Sequence, residues 1–252
     1  FFVPPVEREN LFSTDCALRL RQLGFQNVEA LAWGERRLVR DVEMTALPFF
    51  GEQATCGETV EPRLRNIGST WHIRTPKFAA AFFADSGFDA TGDMRTVAKS
   101  LRGQVDYLFC GVRGFRLAPI FFGFTTLDAY LVNVPRNALT QSQQLMADAP
   151  SAFEYARLMG AQYLVPCADG GAPWYWREGM GPRYQGYPGT PYEGASHFDE
   201  NPDADPFPEN VVKMIHRRTG DPLPITMRPG EILTHSRTCR IESAPGPFRW
   251  PF

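Results

Sequence analysis

Three carboxylates each stand just past a run of apolar residues with the pattern of a buried strand: Glu52 after Val42–Pro48, Asp85 after Ala79–Ala84, and Asp169 after Gln162–Pro166. An acid directly downstream of such a run is held at the rim of a sheet, where α/β proteins collect ligands and catalytic groups. These residue types point to acid chemistry or a bound cation. Asp85 is the sharpest case, because Ser86 and Gly87 behind it permit a tight turn. A strand-end carboxylate drawn out of water is costly unless it is paired, hydrogen-bonded or metal-bound. A turn or a helix cap is the plain alternative, and metal bridging is the role expected of Asp85.

Glu58 and Glu61 share the segment of Glu52 and compete with it as ligands; Glu52 is favoured for its closeness to the strand end. Of the four histidines, His197 follows an aromatic-rich stretch and is the best placed for metal binding or proton transfer, both of which suit a neutral imidazole. His72, between Trp71 and Ile73 and on the opposite face from them, is expected to be a surface or hydrogen-bonded residue, and His216 and His235 are expected to be structural. Arg113 follows a strand, and its planar fork suits an anionic group of a substrate. Cys167 beside Asp169 is a small buried residue in preference to a ligand, since thiolate among carboxylates fits no common site.

The elements that must position these groups follow from periodicity and punctuation. Ser13-Thr14-Asp15 supplies cap chemistry for a helix from Cys16 to Leu23, which Gly24 stops. Short strands are expected at Val28–Ala32, Arg36–Val39 and Val42–Pro48, then at Ile67–Arg74 and Ala79–Ala84 around a Thr75-Pro76-Lys77 turn. A short helix over Thr96–Leu101 and a buried strand over Val105–Cys110 come next. Ser151 is expected to cap an amphipathic helix closed by Gly160, leading into a strand at Tyr163–Val165, which makes a βαβ unit. Residues 170–208, dense in Gly, Pro, Trp and Tyr, read as a long covering loop whose Trp174, Tyr175 and Trp176 would line a substrate pocket or pack in the core. A helix from Pro208 to Arg217 and strands at Pro224–Met227 and Glu231–Thr234 complete the order.

Size and charge exclude several classes. With 252 residues the chain can bury a sizeable core as one domain. Its 26 basic and 28 acidic residues leave a net charge of −2, which offers no general attraction to nucleic acid or to a membrane surface. The five cysteines are odd in number, scattered and free of any Cys-x-x-Cys pair, so reduced thiols and a cytoplasmic location are expected. No apolar run approaches the roughly 18 to 20 residues of a membrane span. The opening Phe1-Phe2-Val3-Pro4-Pro5 has the pattern of the second half of a strand and lacks an initiator Met, so a fragment or one chain of a split protein is expected.

In order, the Phe-Val-Pro-Pro opening, the helix ending Leu23-Gly24-Phe25, Asn27-Val28, Trp33-Gly34-Glu35, the strand Val42–Pro48 and the apolar strand into Ala84-Asp85-Ser86 resemble the metallo-β-lactamase fold. The likeness runs over roughly residues 1 to 235 and is nearest to the lactonase-like and diiron oxygenase branch. It implies an αββα sandwich, here without its first third, and two metal ions between the sheets. The family's His-x-His-x-Asp-His motif does not occur among the 252 residues and would precede Phe1. Asp85 matches the family's bridging Asp. Where the family's hydrolases carry a later His, this chain has Phe49-Phe50-Gly51-Glu52; where they carry the last His, it has Val165-Pro166-Cys167-Ala168-Asp169.

Carboxylates in place of imidazoles favour iron, with zinc or manganese as alternatives, because oxygen-rich sites suit oxophilic ions. The resemblance therefore implies a dinuclear-metal enzyme, foremost a non-haem diiron oxygenase or hydroxylase acting on a small molecule with an electron donor. A metal-dependent hydrolase of an ester, lactone or phosphodiester is the second expectation, and a catalytically silent binding domain the third. Metal ligands Glu52, Asp85 and Asp169, with Arg113 and His197 as catalytic groups, make up the expected site.

Overall fold

The computed structural model describes residues 1–6, 15–51, 68–89, 91–112, 114, 116–117, 143–167, 221–225, 231–235 and 241–245. The chain opens with β1 (Phe2–Val3), α1 (Cys16–Gln22) and β2 (Glu29–Ala30), and β1 pairs parallel with β2. Asp15 caps α1 by accepting the Leu18 amide at 3.0 Å, as the Ser-Thr-Asp run predicts. A meander follows: β3 (Arg36–Val39), β4 (Val42–Pro48), β5 (Ser69–Arg74) and β6 (Ala79–Ala84), each antiparallel to the last. Thr75 closes the β5–β6 hairpin, its hydroxyl accepting from the Phe78 amide at 3.1 Å.

Beyond β6 come the short hairpin β7 (Phe88–Asp89) and β8 (Gly92–Asp93), then α2 (Met94–Ser100), β9 (Tyr107–Cys110), β10 (Arg116–Leu117), β11 (Gln143–Gln144), α3 (Ala149–Met159) and β12 (Tyr163–Pro166). After these stand β13 (Leu223–Pro224), β14 (Glu231–His235) and β15 (Ile241–Pro245). The main sheet has seven strands in the order β13-β12-β9-β6-β5-β4-β3, parallel from β6 through β13 and antiparallel from β6 back to β3. Parallel pairing requires crossovers, and α2 and α3 supply those from β6 to β9 and from β9 to β12.

Both helices pack on one face of the sheet. Alternation along β6 sends Ala81 and Phe83 to that side with Leu108, Leu164, Met94, Phe153 and Tyr155, and sends Ala80 and Phe82 to the other with Tyr107 and Val165. One helical layer and one large sheet of the expected αββα arrangement are thus present among the described residues. The cap of α3 is Asp148, whose carboxylate accepts the Ser151 amide at 2.9 Å, with Pro150 in the first turn, where a missing N–H costs nothing. The expectation that Ser151 caps this helix is therefore corrected by three residues. Likewise Asp93, through its bond from the Arg95 amide at 2.8 Å, starts α2 ahead of Thr96. Gly160 closes α3 in the left-handed conformation, at φ 72°. The region predicted as a helix from Pro208 to Arg217 lies outside the described residues, as does loop 170–208.

Candidate metal centre at the carboxyl edge of the sheet

Strand polarity gathers the candidate positions. β6, β9 and β12 run parallel, and their last residues align as Ala84, Cys110 and Pro166. The edge continues in backbone bonds from the Gly111 amide to Ala84 O at 2.8 Å and from the Cys167 amide to Cys110 O at 3.1 Å. Two antiparallel pairings separate β4 from β6, so β4 also ends on this edge. Asp85 therefore stands at the carboxyl end of parallel strands, where open α/β sheets bind ligands.

The departure of Asp85 from the sheet is built into its neighbour. Ala84 has φ 45°, and the register against β9 shifts between Phe82 and Ala84. A left-handed residue on a bulge re-aims the side chain that follows. The turn is then fastened through the main chain: Ser86 N donates to Phe83 O at 3.0 Å, Gly87 N to Phe50 O at 2.7 Å, and Ala147 N to Ser86 O at 3.1 Å. A Cβ on Gly87 would lie 2.2 Å from Leu145 O, so only glycine allows that crossing.

The Asp85 carboxyl is half-buried, and burial alone pushes it above the ordinary carboxylate range. Among the described residues no hydrogen-bond donor or cation meets it, so the turn-cap alternative is not what the geometry shows. A desolvated carboxylate at a sheet edge, without a partner among the described residues, fits one oxygen ligand of a cation. The adjacent Cys110 thiol is buried and is pushed well above its usual value, first by burial and then by Cys167, Asp85 and Asp148 nearby. It is an inert thiol and not a ready ligand. No three His, Cys, Asp or Glu side chains gather as a metal set among the described residues.

Glu52, Arg113, Asp169 and His197 lie outside the described residues, as do Glu58, Glu61, Trp174, Tyr175, Trp176 and His216. Gly51, Val112 and Cys167 all lie where strands end on the Asp85 edge. His72 is buried at mid-strand on β5, with Nε2 2.9 Å from Gln104 O, and is a hydrogen-bonded structural histidine as expected. His235 closes β14. Sequence reasoning missed Asp89, whose carboxylate accepts the Gly51 amide at 2.8 Å. The run Asp89-Ala90-Thr91-Gly92 announces only a local turn.

A mixed sheet with α2 and α3 on one face and a strand-end Asp at its carboxyl edge is the architecture of the metallo-β-lactamase fold, and this chain has that fold. The solved structures it resembles include CmlA, a diiron β-hydroxylase from Streptomyces venezuelae, at 23% identity and TM-score 0.52 over 67% of this chain and 30% of that one. A mutant of the CmlA β-hydroxylase matches equally, over 67% of this chain and 31% of that one. Igni18, a metallo hydrolase from the archaeon Ignicoccus hospitalis, matches at 13% identity and TM-score 0.44 over 85% of this chain and 63% of that one. The matched region thus spans under a third of the CmlA chain, at 30%. No protein-family model and no curated protein sequence matches the chain. Among the described residues no helix is long and apolar enough to cross a membrane.

Proposed function

We propose that this chain carries the carboxylate side of a dinuclear metal centre and serves a non-haem diiron oxygenase or hydroxylase acting on a small molecule. The observation that carries the reading is Asp85: a half-buried carboxylate that burial makes reluctant to ionise, unmet by any described donor, at the edge where parallel strands end. Its desolvation is an expense that a cation would offset. Likeness in fold to CmlA, which is described as a diiron β-hydroxylase, supports the same reading.

In this proposal Asp85, Glu52 and Asp169 would hold the two ions as an oxygen-rich set that suits iron above zinc. When bound, the iron pair would supply activation of dioxygen. Arg113 receives an anionic group of the substrate and orients it. His197 holds and passes a proton near the reacting atom. No His-x-His-x-Asp-His motif occurs in the 252 residues, and the carboxylates are the ligands this proposal assigns. Hydroxylation by dioxygen also consumes two electrons, which makes a redox donor a partner.

Elemental analysis of the intact protein is the test, run beside Asp85→Asn. Two iron ions per protein, lost in the variant, are expected. Two zinc ions would overturn the oxygenase in favour of a hydrolase, in which the ions acidify a water. An absence of metal would overturn both and leave a binding domain.

A further inference from the structure

Asp89 does more than its turn requires. Its Oδ1 accepts the Thr91 amide at 2.7 Å, the Gly92 amide at 3.2 Å and the Thr91 hydroxyl, which closes the β7–β8 hairpin. Its Oδ2 is spent elsewhere, on the Gly51 amide at 2.8 Å. The carbonyl just before Gly51, that of Phe50, accepts from the Gly87 amide at 2.7 Å. A closed circuit results, from Asp89 through Gly51 and Phe50 to Gly87, around the turn that presents Asp85.

The crossing is tight. Gly51 has φ 133°, and a Cβ there would lie 2.8 Å from Leu145 O and 2.9 Å from Gly87 N. Side chains add little to this main-chain framework among the described residues: the fully buried Ser86 Oγ has no partner there, and the Tyr155 hydroxyl donates to Gly87 O at a long 3.5 Å. The Asp85 turn therefore sits where main-chain bonds put it, and among the described residues the one charged acceptor in that network is Asp89. A bond to an ionised acceptor is shorter and stronger than a neutral one.

We propose that Asp89 is the positioning residue of the metal centre, acting through Gly51 and Phe50 to hold the Asp85 turn in the geometry that a cation takes. The proposal rests on reading Asp85 as a metal ligand. Groups that orient a ligand from behind it are worth roughly 10- to 100-fold in metal affinity.

Asp89→Asn separates the two limbs. Its single carbonyl oxygen can still serve Thr91 and Gly92, while its NH2 then faces the Gly51 N–H, donor against donor. Cobalt(II) titration of the metal-free intact protein, read by visible absorption, compares the parent, Asp85→Asn and Asp89→Asn. The expected result is an affinity loss of about tenfold or more in Asp89→Asn, with an altered cobalt spectrum and an unchanged far-ultraviolet circular dichroism. Parent-like affinity and spectrum in Asp89→Asn, with binding lost in Asp85→Asn, would overturn the positioning role and leave the metal reading standing. Failure of the parent to bind, or parent-like binding by Asp85→Asn, sinks the metal reading itself, and the positioning role with it.

Should Asp89→Asn not fold, amide exchange in the parent decides. Coupling is reciprocal, so cobalt must slow exchange at Gly51 beyond its effect at Leu18, which Asp15 caps on α1. Equal slowing at both amides overturns the proposal.

Discussion

At the level of single residues, the Asp85 carboxyl sets stability against the metal-binding role proposed for it. Burial raises its pKa above the usual 3.8, so the metal-free folded chain holds this proton more tightly than the unfolded chain does. The stability gained from that proton is fully present below 3.8 and is lost as pH rises through the folded pKa. Asp85→Asn, neutral and nearly the same shape, should accordingly melt above the parent at neutral pH in the presence of chelator, with the gap closing as pH falls past 3.8. With metal bound the order should reverse, since the variant lacks the ligand that Asp85 is proposed to be. Thermal melts across pH with and without metal check both halves, and a variant less stable than the parent in chelator at neutral pH contradicts the account. His72 shifts in the opposite direction, lowered by burial, so its own contribution is lost as pH falls below 6.5. It is common to both proteins and cancels in the comparison.

At the level of elements, the end of β6 concentrates the strain that aims the site. Ala84 holds φ 45°, a conformation costing an L-residue roughly 1–2 kcal/mol that glycine does not incur. Ala84→Gly should therefore raise stability by about 1 kcal/mol, measured by urea unfolding, and a clear loss of stability would show that the left-handed turn is not strained. The sequence could not announce this residue, because alanine carries no signal for positive φ. Elements whose causes are local were legible: β3, β4 and β6 run as their apolar patterns and flanking turns predict. Helix starts were less so, because Asp93 and Asp148 compete with nearby Thr and Ser as caps and only geometry chooses. Strand β15, paired with β14, was not foreseen; Ile241–Pro245 ends in Ala-Pro and offers little alternation. The Asp89–Gly51 bond spans 38 positions, beyond the reach of any local pattern.

At the level of the molecule, the strand-helix-strand spacing exposed the parallel half of the sheet, and the parallel half dictates an edge on which Asp85 must stand. The strand order itself depends on long-range pairing that spacing leaves open. The same organisation separates what holds the fold from what serves the site. Cohesion lies on the helix-covered face, where Phe153 and Tyr155 of α3 are wholly buried with Phe83 of β6. Asp85 stands beyond the last residue of that strand, and its turn is fixed by main-chain bonds to Phe50 and Ala147. Phe153→Ala should thus destabilise by about 3–5 kcal/mol through cavity formation and lost burial. Under conditions where it remains folded, its metal affinity should match the parent's, because the main-chain bonds that fix the Asp85 turn, to Phe50 and Ala147, do not pass through Phe153. Denaturant unfolding paired with cobalt titration measures both quantities on one sample. Loss of affinity in the folded variant, in proportion to its loss of stability, would mean that the helical face and the metal edge act as one cooperative unit, and the local circuit through Asp89 would then be insufficient to hold the site.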